Sequence, residues 1–69
     1  MNIKAQNGIV YDVCELQQHG TEIFGILKEN GYAKLLGKFD GTKRACEVMS
    51  EITCKNWNDR TADYSMPLG

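Results

Sequence analysis

Over most of the first 39 positions polar and apolar residues alternate with a period of two, and beyond Thr42 the period lengthens to that of a helix. Ile3 and Ala5 share one face of residues 2–6 (NIKAQ), as in a half-buried strand. Asn7-Gly8 follows, a dipeptide favoured in type I′ hairpin turns, where both central residues need positive φ. Residues 9–16 (IVYDVCEL) set Ile9, Tyr11 and Val13 against Val10, Asp12 and Cys14, and "QQHG" interrupts the pattern. A third strand is predicted over 21–28 (TEIFGILK), rich in β-branched and aromatic residues. Asn30-Gly31 predicts a second type I′ turn, and residues 32–39 (YAKLLGKF) a fourth strand whose alternation assigns Leu35 and Phe39 to the core.

From Thr42 onward Ala45, Val48, Met49 and Ile52 recur at i, i+3, i+4, i+7 spacing, with Arg44, Glu47 and Glu51 on the other side. The pattern predicts a helix that fades near Asn56, with Asp40 or Thr42 as its N-cap. "NWNDRT" reads as loop, and "ADYSMP" as a last short strand with Ala62, Tyr64 and Met66 on one face, stopped by Pro67. The expected fold is a single α+β domain: a small twisted antiparallel sheet of four or five strands with one helix on one face, in the order ββββαβ. One helix covers one face only. The other would hold Val10 or Tyr11, parts of "EIFGIL" and Tyr64, more apolar surface than so small a chain leaves in water. A second copy of the chain is the expected cover, so a homo-oligomer is predicted.

Size supports that expectation. A chain of 69 residues buries only about 60% of its unfolded surface on folding, and such domains usually gain stability from a disulfide, a metal or a partner subunit. The three cysteines, Cys14, Cys46 and Cys54, are odd in number and widely spaced, and His19 is the only histidine. Paired ligand clusters of the kind a structural zinc site uses are missing from this pattern, and no metal or other cofactor is expected. Unpaired cysteines suit a reducing cytoplasm. Neither an apolar run long enough to span a membrane nor a signal peptide is visible, so no membrane partner is expected. A net charge of −1, with both signs interspersed, argues against a nucleic-acid binder and against a DNA mimic.

The segment "GKFDGTKRA" raises the question of phosphate binding. A P-loop places Lys and Ser/Thr directly after its second glycine; here Gly37 and Gly41 are four apart and Thr42-Lys43 reverses the order, so that motif fails. What survives is a helix start without acids and with Lys43 and Arg44 in its first turn, although the positive end of a helix dipole prefers anions there. Free amides beside two cations outline an anion site; two solvated cations that bend away, at small cost, account for the same residues. Trp57, in a polar loop between Asn56 and Asn58, has two readings as well: an interface or stacking anchor, or a lid folded over the sheet edge. Asp59 and Arg60 beside it can simply pair with each other. The cysteines read as core or surface thiols, since nothing places a base beside any of them. The acids fall mostly outside core faces, where desolvation would tune one for catalysis. No acid–base pair or triad emerges, and a non-enzyme is expected.

Three stretches, "IKAQNGIVYDV", "LGKFDGTKRACEVMSEI" and "YSMP", together more than half of the chain, resemble a group of very short phage and prophage proteins of Gram-positive bacteria. The shared pattern is an opening I-x-S-Q-D/N-G, a Leu-Gly-x-Tyr/Phe strand end, an Arg-Ala-x-Glu-Val helix start and a closing Tyr-x-Met-Pro. Group members often place acids before the Arg-Ala pair, where this chain has Gly41, Thr42 and Lys43. The resemblance implies a counter-defence factor that works by binding. One such role is a sponge for a nucleotide-like immune signal, as in anti-Thoeris or anti-CBASS proteins. Others are a factor that blocks a host protein such as a CRISPR effector, and a small structural or regulatory phage protein. The sponge reading places a ligand pocket between copies, with Phe24, Lys43, Arg44, Trp57, Arg60 and Tyr64 as its residues.

Overall fold

A computed structural model describes residues 2–55 and 63–68. Five strands and one helix follow in the order β1 (Asn2–Lys4), β2 (Val10–His19), β3 (Glu22–Leu27), β4 (Ala33–Lys38), α1 (Thr42–Lys55) and β5 (Asp63–Ser65). The α+β class and the element order are those expected. The sheet runs β4-β3-β2-β1-β5. Its first four strands pair antiparallel, but β5 pairs parallel with β1, Ile3 opposite Tyr64, so the sheet is mixed rather than antiparallel throughout. The α1 crossover lets a strand after the helix return to the sheet in the same direction as β1.

The helix phase is as its spacing demands: Ala45, Val48 and Ile52 are fully buried and Met49 packs at their edge. They close over Ile3, Ala5, Val13, Ile23, Leu36, Phe39 and Met66 from the sheet and the C-terminal segment. Gly41, not Asp40 or Thr42, takes the N-cap position, its carbonyl accepting from the Ala45 amide at 3.2 Å.

Two bulges change the strand phases. In β4, Ile23 pairs with Gly37 and Phe24 with Leu35, so Leu36 is the extra residue. A bulge of this kind puts two successive residues on one side of a strand. Leu36 and Gly37 are both buried, while Leu35 is turned outward and 44% exposed. The core residues of β4 and its end are therefore Leu36 and Phe39, not Leu35 and Phe39. In β2 the register shifts between Val13 and Glu15, which lets the strand pass through "QQ" to His19 instead of breaking there.

The turns differ too. Gly8 and Gly31 have φ of 88° and 76°, but no asparagine does, so neither turn is type I′. Each Asn instead accepts a backbone hydrogen bond two residues on: Ile9 N to Asn7 Oδ1 at 2.9 Å, and Tyr32 N to Asn30 Oδ1 at 3.0 Å. These are the local side-chain turns that Asn favours, with the positive φ left to glycine.

The sheet curls without closing. Gln6, just past β1, reaches the outermost strand β4. Its amide N donates to Leu36 O at 2.9 Å, and its side-chain Oε1 accepts from Lys38 N at 2.9 Å. Its Nε2 donates to Pro67 O at 2.7 Å and more weakly to Lys38 O at 3.3 Å. Met66 N donates to Lys4 O at 2.8 Å beside it, which seats the buried Met66 against Gly37.

Close packing makes Gly25 irreplaceable. A Cβ there would lie 2.6 Å from Val13 Cγ1 and 2.9 Å from Leu36 Cδ1. Gly25→Ala is expected to lower unfolding free energy by about 1–3 kcal/mol, the usual cost of overpacking a core. Chemical denaturation checks this; an unchanged midpoint would mean that the face around Gly25 is looser than described.

Candidate functional site

Four of the six residues singled out in the sequence lie within the described structure, and they fall in two places. Arg44 and Tyr64 come together on one flank of α1. Tyr64 follows from the parallel pairing of β5, which sets it opposite Ile3 and packs its ring against the core. Its hydroxyl donates to Glu51 Oε1 at 3.1 Å. Arg44 and Glu51 are seven positions apart, two helical turns, and so share that flank. Burial pushes the Tyr64 phenol up to about 12, the Glu51 carboxylate adds to the shift through its hydrogen bond and charge, and Arg44 opposes it. The result is a neutral, oriented phenol between an acid and a guanidinium.

Lys43 is exposed in the first turn of the same helix, a turn with no acidic residue. Phe24 lies elsewhere. Its neighbours Ile23 and Gly25 are buried, so Phe24 projects from the sheet face away from α1. There it is half-buried and meets the His19 ring edge-on, with centroids 5.5 Å apart. Within one chain the sheet separates Phe24 from the Arg44–Tyr64 flank. Trp57 and Arg60 lie outside the described residues, as do Asp59 and the side chain of Cys54.

Glu51 is the member that sequence reasoning missed. Its spacing from Arg44 was visible, but its role depends on Tyr64 arriving beside it, and β5 pairs across a separation no local pattern reports. The thiols of Cys14 and Cys46 are both exposed, and Gln18 Nε2 donates to Cys46 Sγ at 3.3 Å. Glu22 lies on the outer face, opposite Lys38 and His19.

Among the described residues no side chain that is polar or charged is fully buried, and no three of the His, Cys, Asp and Glu residues converge. An open groove of about 490 Å³ runs between β2 and the end of β3, lined by Val10, Tyr11, Asp12, Leu27, Lys28 and Glu29. It includes none of the four placed site residues. No helix among the described residues is long and apolar enough to cross a membrane. No protein-family model, curated protein or solved structure matches the chain.

The Tyr64 phenol has a consequence in alkali. Its folded value, about 12, lies above the ordinary value of 10, so between those values the unfolded chain has lost a proton that the folded chain keeps. The stabilisation is complete below pH 10 and is lost as pH rises toward 12. Thermal melts across that window should show a stability loss that Tyr64→Phe reduces. Identical alkaline slopes in the two proteins would remove Glu51 and burial as controls on this ring.

Proposed function

We propose that this chain is a small non-enzymatic binding protein of phage type that assembles with copies of itself and sequesters a nucleotide-like immune signal in the host cytoplasm. The supporting observation is the division of its surface. One sheet face is spent on the core, and the described core holds no charged or polar side chain to do chemistry. The other face carries half-buried Phe24 and Ile26 beside exposed Leu35, with Val10 exposed beyond them. Apolar side chains grouped on the surface of so small a domain serve contact with another molecule.

The α1 flank supplies the ligand chemistry. Arg44 and Lys43 offer a guanidinium and an ammonium suited to phosphate oxygens. The Tyr64 ring, with its hydroxyl held by Glu51, offers an edge and a polar tip to a base or sugar. Trp57 and Arg60, which lie outside the described residues, are the further residues proposed for stacking and charge. Phe24, on the far face, is assigned to contact between copies. Binding of this kind needs affinity without turnover, so it calls for no nucleophile and no acid–base pair. The resemblance of the opening, central and closing segments to short phage proteins supplies the context, and the unpaired thiols fit a reducing compartment.

A second reading draws on the same exposed row: the face could instead block a host protein, with no nucleotide involved. Native mass spectrometry and thermal shift with ADP-ribose-type and cyclic dinucleotide ligands separate the two. A ligand present at 100 times its dissociation constant should add about 2.7 kcal/mol of stability. Arg44→Ala, with its fold verified by an independent melt, should weaken that ligand about tenfold or more, the loss of one charge-assisted contact. No shift with any nucleotide, together with capture of one host protein, would contradict the sponge reading and establish the blocking one.

A further inference from the structure

We propose that the uncovered half of the β4 edge docks one extended segment of another protein, in which an acidic residue is flanked on either side by an apolar one. The inference goes beyond the nucleotide reading, which places its ligand on α1 and β5.

β4 is the outermost strand on its side of the sheet, and its hydrogen bonds show which of its backbone groups face away from β3. In an antiparallel ladder, residues that exchange hydrogen bonds alternate with residues that do not. Leu27 N donates to Tyr32 O at 2.9 Å, so Leu27 and Tyr32 are a bonded pair, as are Gly25 and Lys34 two places along. Ala33 and Leu35, opposite Ile26 and Phe24, therefore turn their N–H and C=O groups outward. Past the bulge Leu36 O and Lys38 also face outward, and there Gln6 is seated on them through its backbone N–H and its side-chain amide. One half of the edge thus already holds amide groups. On the other half, nothing among the described residues bonds the outward groups of Ala33 and Leu35, and residues 33–35 are all exposed. Donors and acceptors alternating along an extended strand are matched by another extended backbone, the chemistry of strand addition to a sheet edge.

The side chains along the edge select the segment. Ala33 and Leu35 project on the outer face beside Ile26 and Phe24, so an added strand sets its first and third side chains against an apolar row. Lys34 projects to the other side of the strand. β3 offers it no carboxylate there: Gly25 stands opposite it, whereas Lys38, the other charged residue of β4, stands opposite Glu22. An added strand places its middle residue directly beside Lys34, where an acid is favoured and a cation disfavoured. Lys34 also selects against a second copy. Antiparallel pairing of two β4 edges that satisfies both Ala33 and Leu35 centres on Lys34 and sets the two Lys34 side chains next to each other. That like-charge contact is one by which edge strands resist pairing with themselves.

The probes are two acetylated and amidated peptides, TVEVT and its charge-reversed counterpart TVKVT, each titrated to about 10 mM, a tenfold excess over a millimolar dissociation constant. Amide NMR spectra of the full chain report the contact. TVEVT should shift the Ala33 and Leu35 amides and slow their hydrogen exchange, and TVKVT should bind about fivefold more weakly, the worth of one cross-strand charge pair. Lys34→Glu should reverse that preference, and TVEVT with both valine nitrogens methylated should not bind the wild type. No response at Ala33 and Leu35 to either peptide would overturn the site, and equal responses would overturn the choice of an acidic residue. If the two amides shift with protein concentration alone, the edge pairs with a second copy and the proposal is likewise overturned. Nucleotide thermal shifts on the same samples judge the ligand reading separately, because Lys34→Glu leaves Lys43, Arg44 and Tyr64 unaltered.

Discussion

One side-chain amide, that of Gln6, holds together three parts of the chain that local interactions would leave apart. Its oxygen takes the Lys38 amide and its nitrogen the Pro67 carbonyl, in the manner of a peptide group inserted between β4 and the C-terminal segment. β1 and β4 are three places apart in the sheet, so this contact requires the sheet to curl. Curling turns one face inward over Ile3, Val13, Ile23 and Leu36 and makes room for Met66 beside Gly37. Both partners of Gln6 are backbone groups with no strand opposite them. A hydrogen bond of this kind contributes about 0.5–1.5 kcal/mol net, which is a sizeable share of what a domain this size possesses.

Everything external follows from that commitment. A curled sheet with one helix has a closed inner face and an outer face that cannot be closed from within. Among the described residues every fully buried side chain of the inner face is apolar. The outside carries two regions of different character: the row through Leu35, Phe24 and Ile26, and the flank of α1, where Arg44, Glu51 and Tyr64 make a polar cluster. The flank depends on the curl as well, because Tyr64 is carried there by the same C-terminal segment whose next residues, Met66 and Pro67, bind Lys4 and Gln6.

Much of this was legible in the residues, and the exceptions share a cause. The helix phase was plain because Ala45, Val48, Met49 and Ile52 repeat over almost the whole element. Ile3 and Ala5 were equally plain. Leu35 and Leu36 are both leucine, and which one enters the core is decided by a bulge against β3, where Ile23 pairs with Gly37 and Phe24 with Leu35, rather than by any alternation within β4. The two Asn-Gly turns were correctly located but given the wrong geometry, because asparagine can support a turn through its side chain as well as by adopting positive φ. Gln6 looked like any polar residue ahead of a turn; its partners are 32 and 61 positions away. Of the candidate site, the basic helix start was visible as an oddity of charge. Its association with Tyr64 and Glu51 was not, since that depends on a parallel pairing between the two ends of the chain. Phe24 was grouped with those residues and lies across the sheet from them.

The most direct test of this account is amide hydrogen exchange at Lys38. Its N–H lies on the outer edge of the last strand, where solvent would ordinarily exchange it quickly, and its only described partner is the Gln6 side chain. If Gln6 closes the curl, the Lys38 amide exchanges as slowly as the Ile23 amide in the core and speeds up together with Met66 in Gln6→Ala. Fast exchange at Lys38 in the wild type, with Ile23 protected, would contradict the closure and with it the division of the molecule into a sealed face and a free one.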